Sequence, residues 1–67
     1  MLLEKSGSVI AIEVKLGHRV DARDRKGLRE CRAALGSRFR NGVVLYGGNE
    51  VVGIEDRIAA VPLGVLL

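Results

Sequence analysis

Sixty-seven residues at 48% hydrophobic content make at most one domain, too apolar for a disordered chain and too short for two cores. Eleven Lys and Arg against eight Asp and Glu give a formal charge of +3, which suits a polyanionic partner without demanding one. One cysteine excludes an internal disulfide, and an aromatic content of 3% with no Trp all but excludes a base-stacking platform for single-stranded nucleic acid.

Leu2-Leu3-Glu4 reads as a short strand, and Lys5-Ser6-Gly7-Ser8 as a turn in which Gly7 is free to take positive φ. Val9 to Lys15 returns as the central strand of a hairpin, and its opening apolar run is that of a strand buried on both faces. Alternation places Ile10, Ile12 and Val14 on one face and Val9, Ala11, Glu13 and Lys15 on the other. Glu13 and Lys15 then stand side by side, roughly 7 Å apart at Cα, where the strand leaves the core.

Leu16 to Val20 is a connection. Asp21 is a natural helix N-cap, with Asp24 in the capping-box position, and a helix is predicted from about residue 22 to 35. Its apolar face is Gly27, Leu28, Cys31, Ala34 and Leu35, and Gly36 is a good C-cap. Gly27 costs about 1 kcal/mol against alanine, which a close approach of helix to sheet would explain. Residues 37–41 read as a polar link anchored by Phe39, and Gly42 to Tyr46 as a second buried strand, parallel to the first through a right-handed βαβ crossover. Gly47-Gly48-Asn49-Glu50 reads as a tight hairpin turn leading to a strand at 51–54. A link at 55–57 leads to a last strand at 58–61, and Pro62 fits the first turn of a short terminal helix. The expected fold is α+β (α/β), β-β-α-β-β-β(-α): a small mixed β-sheet with one principal helix, in one domain over residues 1–67.

Glu13 and Lys15 can hold a divalent ion and activate a water, or form a partly solvated ion pair worth under about 1 kcal/mol. Arg25, Arg29 and Arg32, flanked by Arg23 and Lys26, form a stripe on the outer helix face that can track phosphates or simply be solvated. His18 lies in the loop after the motif strand, within reach of a metal or phosphate near Lys15, although a loop histidine is more often uninvolved. Cys31 reads as a small core residue, and Tyr46 as a ring on the core with its hydroxyl in water. The tail Val65-Leu66-Leu67 is apolar and is expected to meet a second subunit.

Leu2-Leu3-Glu4, the Gly turn, Ile12-Glu13-Val14-Lys15, the capped helix, Gly42-Val43-Val44-Leu45-Tyr46 and Ala60-Val61-Pro62-Leu63 together resemble the C-terminal module of a large bacterial and archaeal family of AAA-type ATP-binding proteins. That module is similar to the PD-(D/E)xK nuclease superfamily, and the resemblance covers essentially all 67 residues. It implies a restriction-endonuclease-like core. It also implies an acid-x-lysine site in which Glu13 helps hold magnesium or manganese and Lys15 orients the water and stabilises phosphate charge. The superfamily's further aspartate falls just before the position of Met1, so the chain is expected to be N-terminally truncated and to lack a principal ligand. No Gly-x-x-x-x-Gly-Lys-Ser/Thr loop occurs, so ATP binding by this chain is not expected.

The expected function is therefore a non-catalytic nuclease-like interaction or scaffold module, with no cofactor assigned. The alternatives are a magnesium- or manganese-dependent DNA phosphodiesterase using Glu13 and Lys15, and a nucleic-acid-binding module using Arg25, Arg29 and Arg32. A homo-oligomer, in the simplest case a dimer, is the expected partner state. No apolar run approaches the ~20 residues that cross a bilayer, and a reducing, cytoplasmic setting is expected from the cysteine count.

Overall fold

The computed structural model of the chain describes residues 1–66, without the side chains of Val65 and Leu66. Five strands and one helix follow in the order β1 (Leu2–Lys5), β2 (Ser8–Val14), α1 (Ala22–Leu35), β3 (Phe39–Tyr46), β4 (Val52–Glu55) and β5 (Ile58–Pro62), with short 3-10 turns at Gly36–Arg38 and Leu63–Leu66. They form one mixed sheet in the order β1-β2-β3-β5-β4. The three inner strands are parallel, and each edge strand is antiparallel to its neighbour. This is the expected α+β fold.

The first hairpin forms because Ser6 and Gly7 both take positive φ, 54° and 84°. That is the two-residue turn whose twist matches paired strands, and Lys5 opposes Ser8 across it. Helix α1 begins at a complete capping box: the Asp21 carboxylate accepts from the Arg23 and Asp24 amides, and the Asp24 carboxylate accepts from the Asp21 amide. The helix ends at Gly36, whose φ is 56° and whose N–H donates to the Arg32 carbonyl.

The core lies between α1 and one face of the sheet. Ala11, Val44, Tyr46, Ile58 and Ala60 point up from the strands, and Leu28 points down from the helix. Phe39, expected in a polar link, instead opens β3 and is 1% exposed. A bulge explains the difference. Val9 pairs with Phe39 but Ile10 with Asn41, so Arg40 is the extra residue and Phe39 swings onto the same face as Gly42 and Val44. The close approach expected at Gly27 occurs instead at Gly42. A Cβ there would lie 3.1 Å from Phe39 Cζ, 3.3 Å from Ile58 Cγ1 and 3.4 Å from Leu28 Cδ2, whereas at Gly27 it would meet only Glu13 Oε2 at 3.7 Å.

Three further expectations are corrected. Residues 47–50 are not a hairpin turn, because β4 pairs with β5 and not with β3. The hairpin is made by Asp56-Arg57, with Arg57 at φ 62°. Pro62 does not start a helix but ends β5 opposite Tyr46, where a 3-10 turn follows. The central strand is not buried on both faces. Leu3, Ile10, Ile12, Val14, Val43, Leu45, Ala59 and Val61 are brought to the second face by their pairings, none of them is fully buried, and Val14 is 57% exposed. The side chains of the tail Val65-Leu66-Leu67, and its expected contact with a second subunit, lie outside the described residues. Among the described residues no helix is long and apolar enough to cross a membrane.

Candidate functional site

Glu13 and Lys15 lie at the C-terminal end of β2, and the Lys15 amide continues the ladder by donating to the Leu45 carbonyl at 2.7 Å. The two side chains do not pair with each other. Lys15 Nζ donates to Asp21 Oδ2 at 2.8 Å and to Asp24 Oδ2 at 2.9 Å. The two acids that cap α1 therefore also clamp the ammonium, which fastens the end of β2 to the start of the helix. The hydrogen bonds it donates to Asp21 and then to Asp24 raise the Lys15 pKa above its ordinary 10.5. The same bond from Lys15, followed by the Asp24 amide, lowers Asp21 to about 2. Across the neutral range Lys15 and Asp21 therefore face each other as an ammonium and a carboxylate.

Glu13 is half-buried against α1, its carboxylate over Gly27, in a hollow of about 190 Å³ that it shares with Met1, Leu2 and Cys31. Among the described residues it makes no ion pair within 4.0 Å, and no three His, Cys, Asp or Glu side chains gather where they could hold a metal ion. Magnesium and manganese are held by several oxygens, commonly one or two carboxylates with substrate phosphates. Glu13 alone, beside a lysine already clamped by other acids, does not fit that donor set.

The arginine stripe is divided by Glu55. Arg32 Nη2 donates to Glu55 Oε1 at 2.6 Å, its Nη1 donates to the Asp56 carbonyl at 2.8 Å, and Arg29 Nε lies 3.7 Å from Glu55 Oε2. Arg25 has no acidic partner within 4.0 Å among the described residues, and nor has Arg19. Of Arg25, Arg29 and Arg32, then, Arg25 alone has no acidic partner among the described residues, and the flanking Arg23 has none either. Nothing in the sequence marked Glu55 as the partner, since it lies over twenty residues away and reaches α1 only through the β4–β5 pairing.

His18 does not approach Lys15's acids. Its Nδ1 is 2.8 Å from the Gly47 carbonyl oxygen, which can only accept, so the proton is on Nδ1. The Gly47 amide donates to the Gly17 carbonyl at 2.8 Å, so the two loops are stapled together. Tyr46 is buried, and its hydroxyl donates to the Glu50 carbonyl instead of lying in water. Cys31 is a free, partly buried thiol packed on the core, as expected.

In comparison with known proteins, the family described as Domain of unknown function (DUF4143) matches residues 1–66. No curated protein matches. No solved structure matches.

Proposed function

Because the chain belongs to the DUF4143 family over residues 1–66, we propose that it is a non-catalytic interaction module on a nuclease-like core, of the kind that follows AAA-type ATPase modules, and that it holds a second copy of itself. The observation that carries this reading is the second face of the sheet. Leu3, Ile10, Ile12, Val14, Val43, Leu45, Ala59 and Val61 form a continuous apolar surface on the side away from α1. At one end Glu4, Lys5 and Arg40 border a hollow of about 380 Å³ that Leu3 and Ile10 also line. The accessible surface of the chain is 4665 Å², against about 4,100 Å² expected for a compact monomer of its 7.2 kDa. The long dimensions of the molecule, 31 by 25 Å, span on the order of 800 Å², the share of one partner in a standard interface. A two-fold pairing of sheets through this face is self-complementary, because apolar meets apolar whichever way the strands cross.

The donor set at Glu13 supports the absence of a metal-dependent phosphodiesterase. The test is sedimentation equilibrium on the wild type and on the double variant I12E/L45E, with manganese and duplex DNA incubated in parallel. A wild-type dimer, a folded monomeric variant and intact DNA are expected. A wild type that stays monomeric up to about 100 μM, a concentration at which interfaces of this size associate, overturns the self-association. Manganese-dependent cleavage lost in E13A overturns the non-catalytic reading.

A further inference from the structure

The helix side of the sheet carries a second recess, separate from the apolar face and from Glu13. Helix α1 packs over β2 and β3 and leaves β5 and β4 partly open beside its first turns. The recess between them is about 420 Å³, within the range of small-molecule sites. Its floor is apolar: Tyr46 and Ala60 are buried, and Val20 and Ile54 are half-buried and packed on the core. Its rim is basic: His18, Arg19 and Arg25 line it, and all three are exposed. Among the described residues no acidic side chain lines it.

The charge balance around this rim is uneven. Arg29 and Arg32, one and two turns further along α1, are met by Glu55. Lys15 is met by Asp21 and Asp24. Arg19 and Arg25 have no acidic partner within 4.0 Å among the described residues. Two guanidinium groups at the mouth of an apolar recess offer forked donors to an oxyanion and contact area to whatever carries it. The rim is also held in place. The His18 Nδ1–H bond to the Gly47 carbonyl and the Gly47 amide bond to Gly17 fix the loop that bears Arg19, and leave His18 Nε2 as a further polar atom there.

We propose that this recess binds an organic anion, a carboxylate or phosphate carried on a flat apolar body, with Arg19 and Arg25 on the oxyanion and Tyr46, Ile54 and Ala60 beneath the apolar part.

The test is a titration followed by ¹H–¹⁵N NMR, with 1-naphthoate, naphthyl phosphate, the neutral 1-naphthalenemethanol and inorganic phosphate as separate probes. A naphthyl anion is expected to shift Tyr46, Val52, Gly53, Ile54 and the Arg19 and Arg25 Nε–H signals saturably, and comparison of the first two probes identifies the headgroup. R19Q and R25Q are each expected to weaken it about tenfold, the loss of a hydrogen bond to a charged group. R23Q, on an exposed arginine outside the recess, is expected to leave it unchanged. All three sites are exposed, so a dispersed spectrum in each variant separates lost binding from lost fold. The proposal is overturned if the anions shift the opposite sheet face instead, or if 1-naphthalenemethanol or inorganic phosphate alone binds as well. It is also overturned if R19Q/R25Q binds unchanged, or if no probe saturates by about 10 mM, weaker than the millimolar floor of specific sites.

Discussion

Lys15 Nζ serves two carboxylates at once, and this pairing gives Asp21 its response to acid. Asp21 titrates at about 2 in the folded state against an ordinary 3.8. A lowered folded pKa means that its contribution to stability is complete above 3.8 and is lost as pH falls through about 2. Lys15 is raised, so its contribution holds up to its ordinary 10.5 and is lost only as pH rises past its folded value. In D21N the cap is kept, because Asn accepts the same amides, but the charge is gone. Denaturant melts of this variant should show a shallower fall in stability between pH 3.8 and 2 than the wild type. Two glycines give opposite expectations. G42A places a methyl against Phe39, Ile58 and Leu28 and should cost about 1–3 kcal/mol by overpacking. G27A, whose methyl would meet only Glu13 Oε2 at an ordinary contact of 3.7 Å, should add about 1 kcal/mol of helix propensity. Thermal melts of the two variants check both signs. Asp21 and Asp24 were legible in the sequence as helix caps. Their second role was not, because it depends on where the end of β2 meets the helix start.

At the scale of elements, Glu55 joins α1 to β4 and consumes most of the arginine stripe. Of Arg25, Arg29 and Arg32 only Arg25 is spared by it, so R25Q should reduce the slope of log affinity for duplex DNA against log salt by about 1, while R29Q and R32Q should change it little. E55Q removes a partly buried partner of two arginines and should lower stability by about 1 kcal/mol while steepening that slope. Filter binding at several salt concentrations and a denaturant melt decide both. The first three elements were readable in sequence because each carries its own local signal: a Ser-Gly turn, an apolar run and an Asp cap. The second half was not so simple. Gly47-Gly48 offered the stronger turn chemistry, but the chain turns into its hairpin at Asp56-Arg57. There Arg57 tolerates positive φ while its guanidinium donates to the Phe39 carbonyl at 2.8 Å and lies 5.5 Å from the Phe39 ring. Gly48 is held for another reason: a Cβ there would fall 2.2 Å from the Tyr46 ring.

At the scale of the molecule, a single helix cannot cover both faces of five strands, and the uncovered one is built from the hydrophobic excess visible in composition. If two copies pair through that face, apparent stability rises with protein concentration, and I12E/L45E should lose that dependence while its circular dichroism is retained. The sheet order has a consequence of its own. Among the described residues β3 is the only strand flanked on both sides by parallel partners, and its eight residues include the most buried of the core. β1 and β4, four residues each, hold the two edges. Amide protons of β1 and β4 can therefore trade with solvent through local fraying, at little free-energy cost. Those of Val43 to Tyr46 are released only when the whole chain opens, so in D₂O they should outlast all the others and report the global unfolding free energy directly.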